Sequence, residues 1–218
     1  MPNWCENQIS ITGPNSVIDK IEKIINADDS HENTGLLNFF HPMPKELENT
    51  TSPFPSDATP EQKAQRIKNL DKYGSDNWYD WRNANWGTKW EVCEFYGVDR
   101  SYINDDESQI TVGFSSAWGP PLEAYQRFID KHPVILEARY YEPGCDFMGI
   151  WDNGDDTCYE CSKYGSDDDF WKSGDGAILD ESFNIVENLI EWEQDQEEQK
   201  EEVTEYVKGN PVNIGEDK

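Results

Sequence analysis

The stretch WCENQISITGPNSVIDKIEKIIN, residues 4–26, changes from a two-residue period to a helical period across a single turn. Its first half has the pattern of a half-buried strand, with one apolar and one polar side. We assign Ile9 and Ile11 to the buried side. The opposite side is assigned to Cys5, Gln8 and Ser10. The pattern therefore predicts a strand from Trp4 to Thr12.

A helix is predicted directly after this strand. Gly13-Pro14-Asn15 is a turn signal that ends the strand. Ser16 is then the candidate N-cap, and Asp19 lies in the expected first turn. The positions at helical spacing are Val17, Ile18, Ile21, Ile24 and Ile25. A strand followed at once by an amphipathic helix favours a fold with helices packed on a sheet.

The elements that follow complete a recognisable order. Periodicity and turn residues predict a helix over 61–73, strands over 91–98 and 109–115, a helix over 120–131 and a strand over 134–141. Asn104-Asp105-Asp106 is the turn between the two middle strands. The order β-α-(insert)-β-β-α-β predicts an α+β, ferredoxin-like antiparallel sheet with two helices on one face. The insertion is Trp-rich and covers about residues 61–90.

The C-terminal part is predicted to add an edge hairpin and an acidic helix. Short strands over 147–151 and 157–161 flank Asp152-Asn153-Gly154-Asp155, a strong hairpin turn signal. A loop then leads to Ile178 and Leu179, and apolar residues from Phe183 to Val207 mark a long helix. We therefore divide the chain into a ferredoxin-like domain, residues 1–154, and an acidic extension with a long helix, residues 155–218.

The charge balance limits the kinds of partner. The chain holds 45 acidic and 18 basic residues, so its formal net charge is −27. Such a field repels bare nucleic acid and favours cations or proteins with a basic groove, although it could also serve solubility alone. Between Cys145 and Glu205 only Lys163, Lys172 and Lys200 stand against about twenty carboxylates.

The expected location is the cytoplasm of the host cell. No apolar run approaches the roughly 18 residues needed to span a bilayer, and the opening residues lack the pattern of a secretion signal. The five cysteines are an odd, scattered set, which favours free thiols in a reducing compartment. We expect no membrane association and no cofactor.

Several Trp-containing blocks carry a family resemblance. They are Met1-Pro2-Asn3-Trp4-Cys5-Glu6-Asn7, residues 77–82 and 85–90, Ala117-Trp118 before Pro120-Pro121, Tyr141-Glu142-Pro143-Gly144 and Phe147-Met148-Gly149. With these blocks the chain resembles the YubB-type, Api-like proteins of bacteriophages and plasmids over roughly residues 1–152. The resemblance implies a ferredoxin-like domain and a mobile-element origin, and it implies no established activity. The acidic region after Gly154 lies outside it.

The Trp-rich segment has two interpretations. In the first, aromatic faces interleaved with cations stack a nucleobase and hold a phosphate, or anchor a protein partner. The residues of this candidate nucleotide or small-molecule site are Trp78, Trp81, Arg82, Trp86, Lys89 and Trp118. The other interpretation places these tryptophans in a small core, where Asn and Arg satisfy buried backbone groups.

Metal binding and catalysis receive little support. Cys158 and Cys161 form a single CxxC pair with Cys145 upstream, and residues three apart on a regular strand face opposite sides. We therefore predict no metal site. The chain lacks a phosphate-binding glycine motif, a nucleophile elbow and an HExxH pair, so whether it is an enzyme stays open, with a non-enzymatic role favoured.

The leading functional hypothesis is an acidic inhibitor that binds a basic host protein. Carboxylates on a rigid helix can replace the phosphates of DNA in the groove of a host defence or nucleic-acid-handling protein. The residues assigned to this contact are Glu191, Glu193, Asp195, Glu197, Glu198, Glu201 and Glu202. The alternative is the nucleotide or small-molecule binder with the Trp-rich segment as its site.

Overall fold

The structure is a computed structural model that describes residues 3–27 and 35–209, with the backbone alone described from residue 201 onward. It is a mixed α/β protein with a six-stranded antiparallel sheet and several helices. The chain divides into two compact units, unit 1 (residues 1–161) and unit 2 (residues 162–218). The boundary that we drew after residue 154 falls in the turn of the last hairpin, whereas both strands of that hairpin lie in unit 1.

The sheet of unit 1 has β1 in its interior. Its strands are β1 (Trp4–Pro14), β2 (Cys93–Tyr102), β3 (Glu107–Ala117), β4 (Ile135–Glu142), β5 (Phe147–Asp152) and β6 (Asp155–Tyr159). Their order in the sheet is β2-β3-β1-β4-β5-β6, and each neighbouring pair is antiparallel. The strands and the edge hairpin expected from the two-residue period are confirmed, with ends that differ by a few residues.

Six helices of unit 1 are described. They are α1 (Asn15–Asn26), α2 (Leu36–Phe40), α3 (Lys45–Glu48), α4 (Pro60–Tyr73), α5 (Trp78–Trp86) and α6 (Leu122–Ile129). The prediction of a helix over 61–73 is confirmed. That helix opens with a capping box, in which Thr59 Oγ1 accepts from Gln62 N (3.3 Å) and Gln62 Oε1 accepts from Thr59 N (2.8 Å).

One apolar core joins α1 and α6 to the same face of the sheet. The strands contribute Ile9, Ile11, Ile110, Val112, Phe114, Leu136 and Ala138. The helices contribute Val17, Ile18, Ile21, Ala124, Tyr125 and Phe128. Because all of these side chains belong to one contiguous buried cluster, both helices are held by the same hydrophobic contact.

The assignment of Cys5 to the polar side of β1 is wrong. Cys5 is fully buried, since residues 5, 7, 9 and 11 of a strand share one face. Asn7 lies on that face as well, and its Nδ2 donates to Cys5 O and to Ser116 Oγ, both at 2.8 Å. Burial raises the pKa of the Cys5 thiol well above its usual range.

The assignment of Ser16 as a helix cap is also wrong. Helix α1 begins at Asn15, one residue earlier, and has no side-chain cap. The turn between β2 and β3 supplies the contacts: Asn15 N donates to Asp106 O and Asn15 Nδ2 donates to Asp105 O, both at 2.9 Å. A tertiary contact therefore replaces the local cap.

Unit 2 contains helices α7 (Gly174–Phe183) and α8 (Ile185–Gly209). The long helix that we expected from Phe183 to Val207 corresponds to α8, and a one-residue interruption separates it from α7, which we did not expect. The interruption is Asn184, whose φ of 52° is left-handed. Asparagine tolerates this conformation better than most residues and commonly ends helices. Ahead of α7, the rings of Tyr164 and Phe170 stack at 4.0 Å.

A glycine under a tyrosine gives a test of the sheet edge. A Cβ at Gly149 would fall against the Tyr140 hydroxyl and within 2.6 Å of Thr157 O, so strand β6 would have to move. We expect Gly149→Ala to lower the free energy of unfolding by about 1–3 kcal/mol in denaturant titration. Gly119→Ala is the control, since its Cβ meets only Phe147 at 3.9 Å. Equal stability of the two variants would contradict the described packing of β5 on β6.

Candidate functional site

Helix α5 is the centre of the Trp-rich segment, and its ends are defined by local chemistry. Asn77 Oδ1 accepts from Asp80 N at 2.9 Å, which satisfies one free donor of the first turn. Trp78 N donates to Thr50 Oγ1 at 2.9 Å. The helix ends at Gly87, whose φ of 83° is left-handed and whose missing side chain leaves room for Glu123.

Trp81 and Trp86 belong to the core. Both are buried, and their rings meet edge to face at 5.9 Å. Trp86 Nε1 donates to His41 O at 2.8 Å, and the His41 ring stacks on Trp81 at 5.1 Å. These two indoles therefore stabilise unit 1 and are not available to a ligand.

Arg82 is held between aromatic rings of the same helix. Its guanidinium lies 5.4 Å from the Trp78 ring and 4.6 Å from the Trp86 ring. Burial lowers the pKa of Arg82, and the attraction of the Glu91 and Glu48 carboxylates opposes this effect. The cation is thus partly buried and contributes to the packing of α5.

A buried carboxylate that the sequence did not single out lies beside this cation. Glu91 accepts from Leu37 N at 2.9 Å and from Asn38 N at 2.8 Å, two backbone donors in the first turn of α2. Burial raises the pKa of Glu91, while these hydrogen bonds and the attraction of Arg82 oppose the change. Glu91 thereby joins the start of β2 to α2 and α5.

Three indoles lie exposed at one end of the sheet, and together with Lys89 we call them the indole patch (Trp4, Lys89, Trp90 and Trp118). The exposed fractions are 44% for Trp4, 37% for Trp90 and 48% for Trp118. The Lys89 ammonium lies 3.8 Å from the Trp90 ring centroid and 5.9 Å from that of Trp118. Trp4 and Trp90 are 6.1 Å apart. Trp118 holds a left-handed backbone, with φ at 73°.

The structure does not gather the six residues of the candidate ligand site. Trp81 and Trp86 are in the core, Arg82 and Trp78 pack beside them, and Lys89 and Trp118 lie in the indole patch. Trp4 and Trp90 are the members of the patch that the six-residue set lacks, and Trp4 lies outside the Trp-rich segment altogether. Strand parity could have found it, because Trp4 lies opposite Ile9 and Ile11 on β1.

The residues assigned to the partner contact lie on α8. Glu191, Asp195, Glu197 and Glu198 are exposed. Glu193 is half-buried and accepts from Ser166 Oγ at 2.7 Å and from Ser166 N at 3.2 Å, and these bonds lower its pKa. The side chains of Glu201 and Glu202 lie outside the described residues, although their backbone is helical.

Two apolar side chains accompany the carboxylates of α8. Trp192 is 60% exposed and Ile190 is also exposed. Large apolar side chains surrounded by charges are typical anchors of protein interfaces. The sequence analysis missed both, but a tryptophan inside a run of acidic residues was a usable signal.

A concave surface in unit 1 lies between α4 and the loop before it. This cavity has a volume of about 290 Å³ and is lined in part by Phe54, Arg66, Asn69 and Asp76. The Arg66 guanidinium lies 4.5 Å from the Phe54 ring and pairs with Asp76. Asn69 Oδ1 accepts from Gln65 Nε2 at 2.8 Å. None of these residues was selected from the sequence.

The three cysteines considered as metal ligands are not drawn together. Among the described side chains, those of residues 3–27 and 35–200, no three His, Cys, Asp or Glu are grouped closely enough to hold a metal ion. Cys158 lies on β6 and Cys161 follows that strand. Burial, together with the nearby Asp146 carboxylate, raises the pKa of Cys161 to about 12 and so favours its thiol over the thiolate.

Comparisons with known proteins add little to this geometry. No family model and no curated protein matches the sequence. The chain is similar in structure to the crystal structure of the protein api92 from Yersinia pseudotuberculosis, of the family model DUF1281, with a TM-score of 0.38 and 11% identity over 76% of this chain and 99% of that chain. At this TM-score the likeness carries no conclusion about fold or function. In the part of the chain that is described, no helix is long and apolar enough to cross a bilayer.

The division of the tryptophans into core and surface gives a stability test. Trp86→Ala should lower the free energy of unfolding by about 3–5 kcal/mol, because it removes a fully buried indole. Trp118→Ala should cost less than about 1 kcal/mol, because that ring is half exposed. Denaturant titration of the full-length variants measures both losses of stability. Similar losses for the two variants would contradict the division.

The buried Glu91 carboxyl gives a pH test. Its pKa in the folded chain is raised above 4.5, so the folded state binds the proton more tightly than the unfolded state. The stability of the native chain relative to Glu91→Gln is therefore greatest below pH 4.5, and it falls as the pH rises through the folded pKa. Denaturant titrations of both proteins from pH 4 to 8 measure this difference. A difference that rises with pH would contradict the burial of Glu91.

Proposed function

We propose that this chain is a non-enzymatic binding protein whose helix α8 occupies a basic surface of a partner protein in place of nucleic acid. The observation that carries the proposal is the row of exposed carboxylates Glu187, Glu191, Asp195 and Glu198. Their spacing of four, four and three residues places them on one side of an α-helix. A continuous negative stripe of this kind is complementary to a basic groove.

The charge density of α8 supports mimicry of DNA. From Glu187 to Glu198 the helix rises about 16 Å, and the stripe carries four carboxylates over this length, or one per about 4 Å. One strand of DNA carries a phosphate per about 3.4 Å of axis. A basic protein that recognises phosphates by charge would therefore meet a similar linear density on α8. The same argument excludes nucleic acid as the partner, since like charges repel.

The apolar side chains of α8 favour a protein partner over a mobile cation. Ile190 directly precedes Glu191, a member of the stripe, and Trp192 directly follows it; both apolar side chains are exposed. Indoles at the centre of an interface contribute much of the binding energy when they fill a pocket. We infer a partner surface in which an apolar pocket adjoins the basic groove.

The finer description of unit 1 is part of the same proposal. We infer a ferredoxin-like arrangement, supported by the strand order β4-β1-β3-β2 and by the packing of α1 and α6 on one face. Membership of the YubB-type, Api-like family and a phage or plasmid origin are supported by the Trp-containing blocks of the sequence. A target in host defence is supported by the acidic surface, because such a surface can occupy a basic groove in place of DNA. A cytoplasmic location stays a prediction.

A charge-matched pair of variants tests the proposal. The stripe variant carries Glu187→Gln, Glu191→Gln, Asp195→Asn and Glu198→Gln. The control variant loses the same four charges from exposed positions of unit 1, through Asp57→Asn, Asp71→Asn, Asp105→Asn and Glu137→Gln. We expect the native chain and the control to retain the same protein from a bacterial lysate. The stripe variant should bind that protein at least about tenfold more weakly, because surface charge pairs contribute up to about 1 kcal/mol each.

The nature of the contact is tested by competition. Duplex DNA should displace the retained protein, and its affinity should fall steeply as salt rises from about 0.1 to about 0.5 M. Equal binding by the stripe and control variants would disprove a role for α8. A complex that persists unchanged in half-molar salt would disprove the mimicry of phosphates.

A further inference from the structure

We propose that the indole patch is a binding site for a small planar heteroaromatic ring that carries an anionic group, of the kind found in a nucleoside monophosphate. This site lies in unit 1 and is independent of the partner surface on α8. It replaces the six-residue set chosen from the sequence with a set that the fold brings together: Trp4, Lys89, Trp90 and Trp118.

Secondary structure positions the patch from three directions. Trp4 opens β1 and pairs with Ala117, the last residue of β3. Trp118 follows directly, and its N donates to Asn3 O at 2.9 Å, which extends the pairing of β1 with β3 by one bond. Trp90 lies shortly before β2. Trp4 and Trp118 are thus held at the ends of paired strands, and Trp90 lies in the short segment between α5 and β2.

Lys89 is fixed against the same end of the sheet. Its neighbour Thr88 is buried and donates from Oγ1 to Ala117 O at 2.8 Å, which ties the segment after α5 to the last residue of β3. The Lys89 carbonyl accepts from Arg82 Nη1 at 3.4 Å. With the backbone held from two sides, the ammonium is directed over the Trp90 and Trp118 rings.

The chemistry of the patch indicates the ligand class. Exposed indole faces stack on planar rings of any sequence or type. The Lys89 ammonium is attracted to the indoles, and among the described residues no carboxylate lies within 4 Å of it, so its charge can also meet an anion. A wholly apolar ligand would desolvate this ammonium without compensation, and a cationic ligand would be repelled by it.

The negative charge of the whole chain favours a small anionic ligand over a long polyanion. At a net charge of −27 a polyanion such as RNA is repelled over its length. At 0.1 M salt, a monophosphate bound at the indole patch interacts mainly with charges within about 10 Å of it. The Lys89 ammonium is one of these charges. The Trp4 and Trp90 rings are tilted by 37°, so they do not stack flat on each other, and both rings are partly exposed.

Indole N–H resonances of the full chain test the site. The nine tryptophans give nine such signals in a ¹⁵N-labelled sample, and single Trp→Phe variants assign them. Addition of adenosine monophosphate should shift the signals of Trp4, Trp90 and Trp118. The signals of the buried Trp81 and Trp86 and of Trp192 in unit 2 serve as internal controls and should not move.

Two variants separate stacking from charge. Lys89→Met should weaken adenosine monophosphate binding about tenfold, as expected for the loss of one charge-assisted contact, and should leave adenosine binding unchanged. Trp118→Leu should weaken binding of both compounds. The stripe variant of α8 should bind adenosine monophosphate like the native chain, which keeps this test separate from that of the proposed partner surface.

Three results would overturn the inference. One is the lack of any shift at 10 mM adenosine monophosphate. Another is an equal response to inorganic phosphate alone, which would identify an ion contact without ring recognition. The last is unchanged binding by both the Lys89 and Trp118 variants, which would place the ligand elsewhere.

Discussion

The two hydrogen bonds from the start of α2 to the Glu91 carboxylate are the contact on which the arrangement of unit 1 depends. They draw a charged group into the interior, and Arg82 supplies an opposite charge from α5. An isolated buried carboxylate would be strongly unfavourable, so its partners have to stay in place. Helices α2 and α5 are in this way held beside the first residues of β2. The segment with Lys89 and Trp90 lies between α5 and β2, so it is fixed at both ends.

Much of the sheet could be predicted because strand patterns are local. The β2–β3 turn at Asn104-Asp105-Asp106 and the edge hairpin at Asn153-Gly154 both follow from turn chemistry. The cap of α1 could not be predicted, since its hydrogen-bond acceptors are the carbonyls of Asp105 and Asp106, about ninety residues away in the chain. The misplacement of Cys5 was avoidable, because parity alone puts it on the Ile9 side.

The candidate sites were only partly predictable for a physical reason. Composition does not distinguish Trp86, which is fully buried, from Trp118, which is half exposed; three-dimensional neighbours decide this. The acidic run was visible in the sequence, but the sequence did not show which of its carboxylates are exposed. Glu193 lies in the middle of that run, but its carboxylate accepts two hydrogen bonds from Ser166 within unit 2. It is therefore less available to a partner than the exposed carboxylates of α8.

Trp118 shows what the exposed indoles cost the chain. A φ of 73° places a bulky L-residue in a conformation that glycine adopts freely, and such a position costs about 1–3 kcal/mol of conformational energy. A glycine there would relax the backbone and remove half-exposed aromatic surface from water at the same time. The wild-type residue is therefore a poor choice for thermostability, and a screen for heat-resistant variants would tend to discard it. The ligand binding that we propose for Trp118 and the stability of the fold therefore place opposite demands on this position.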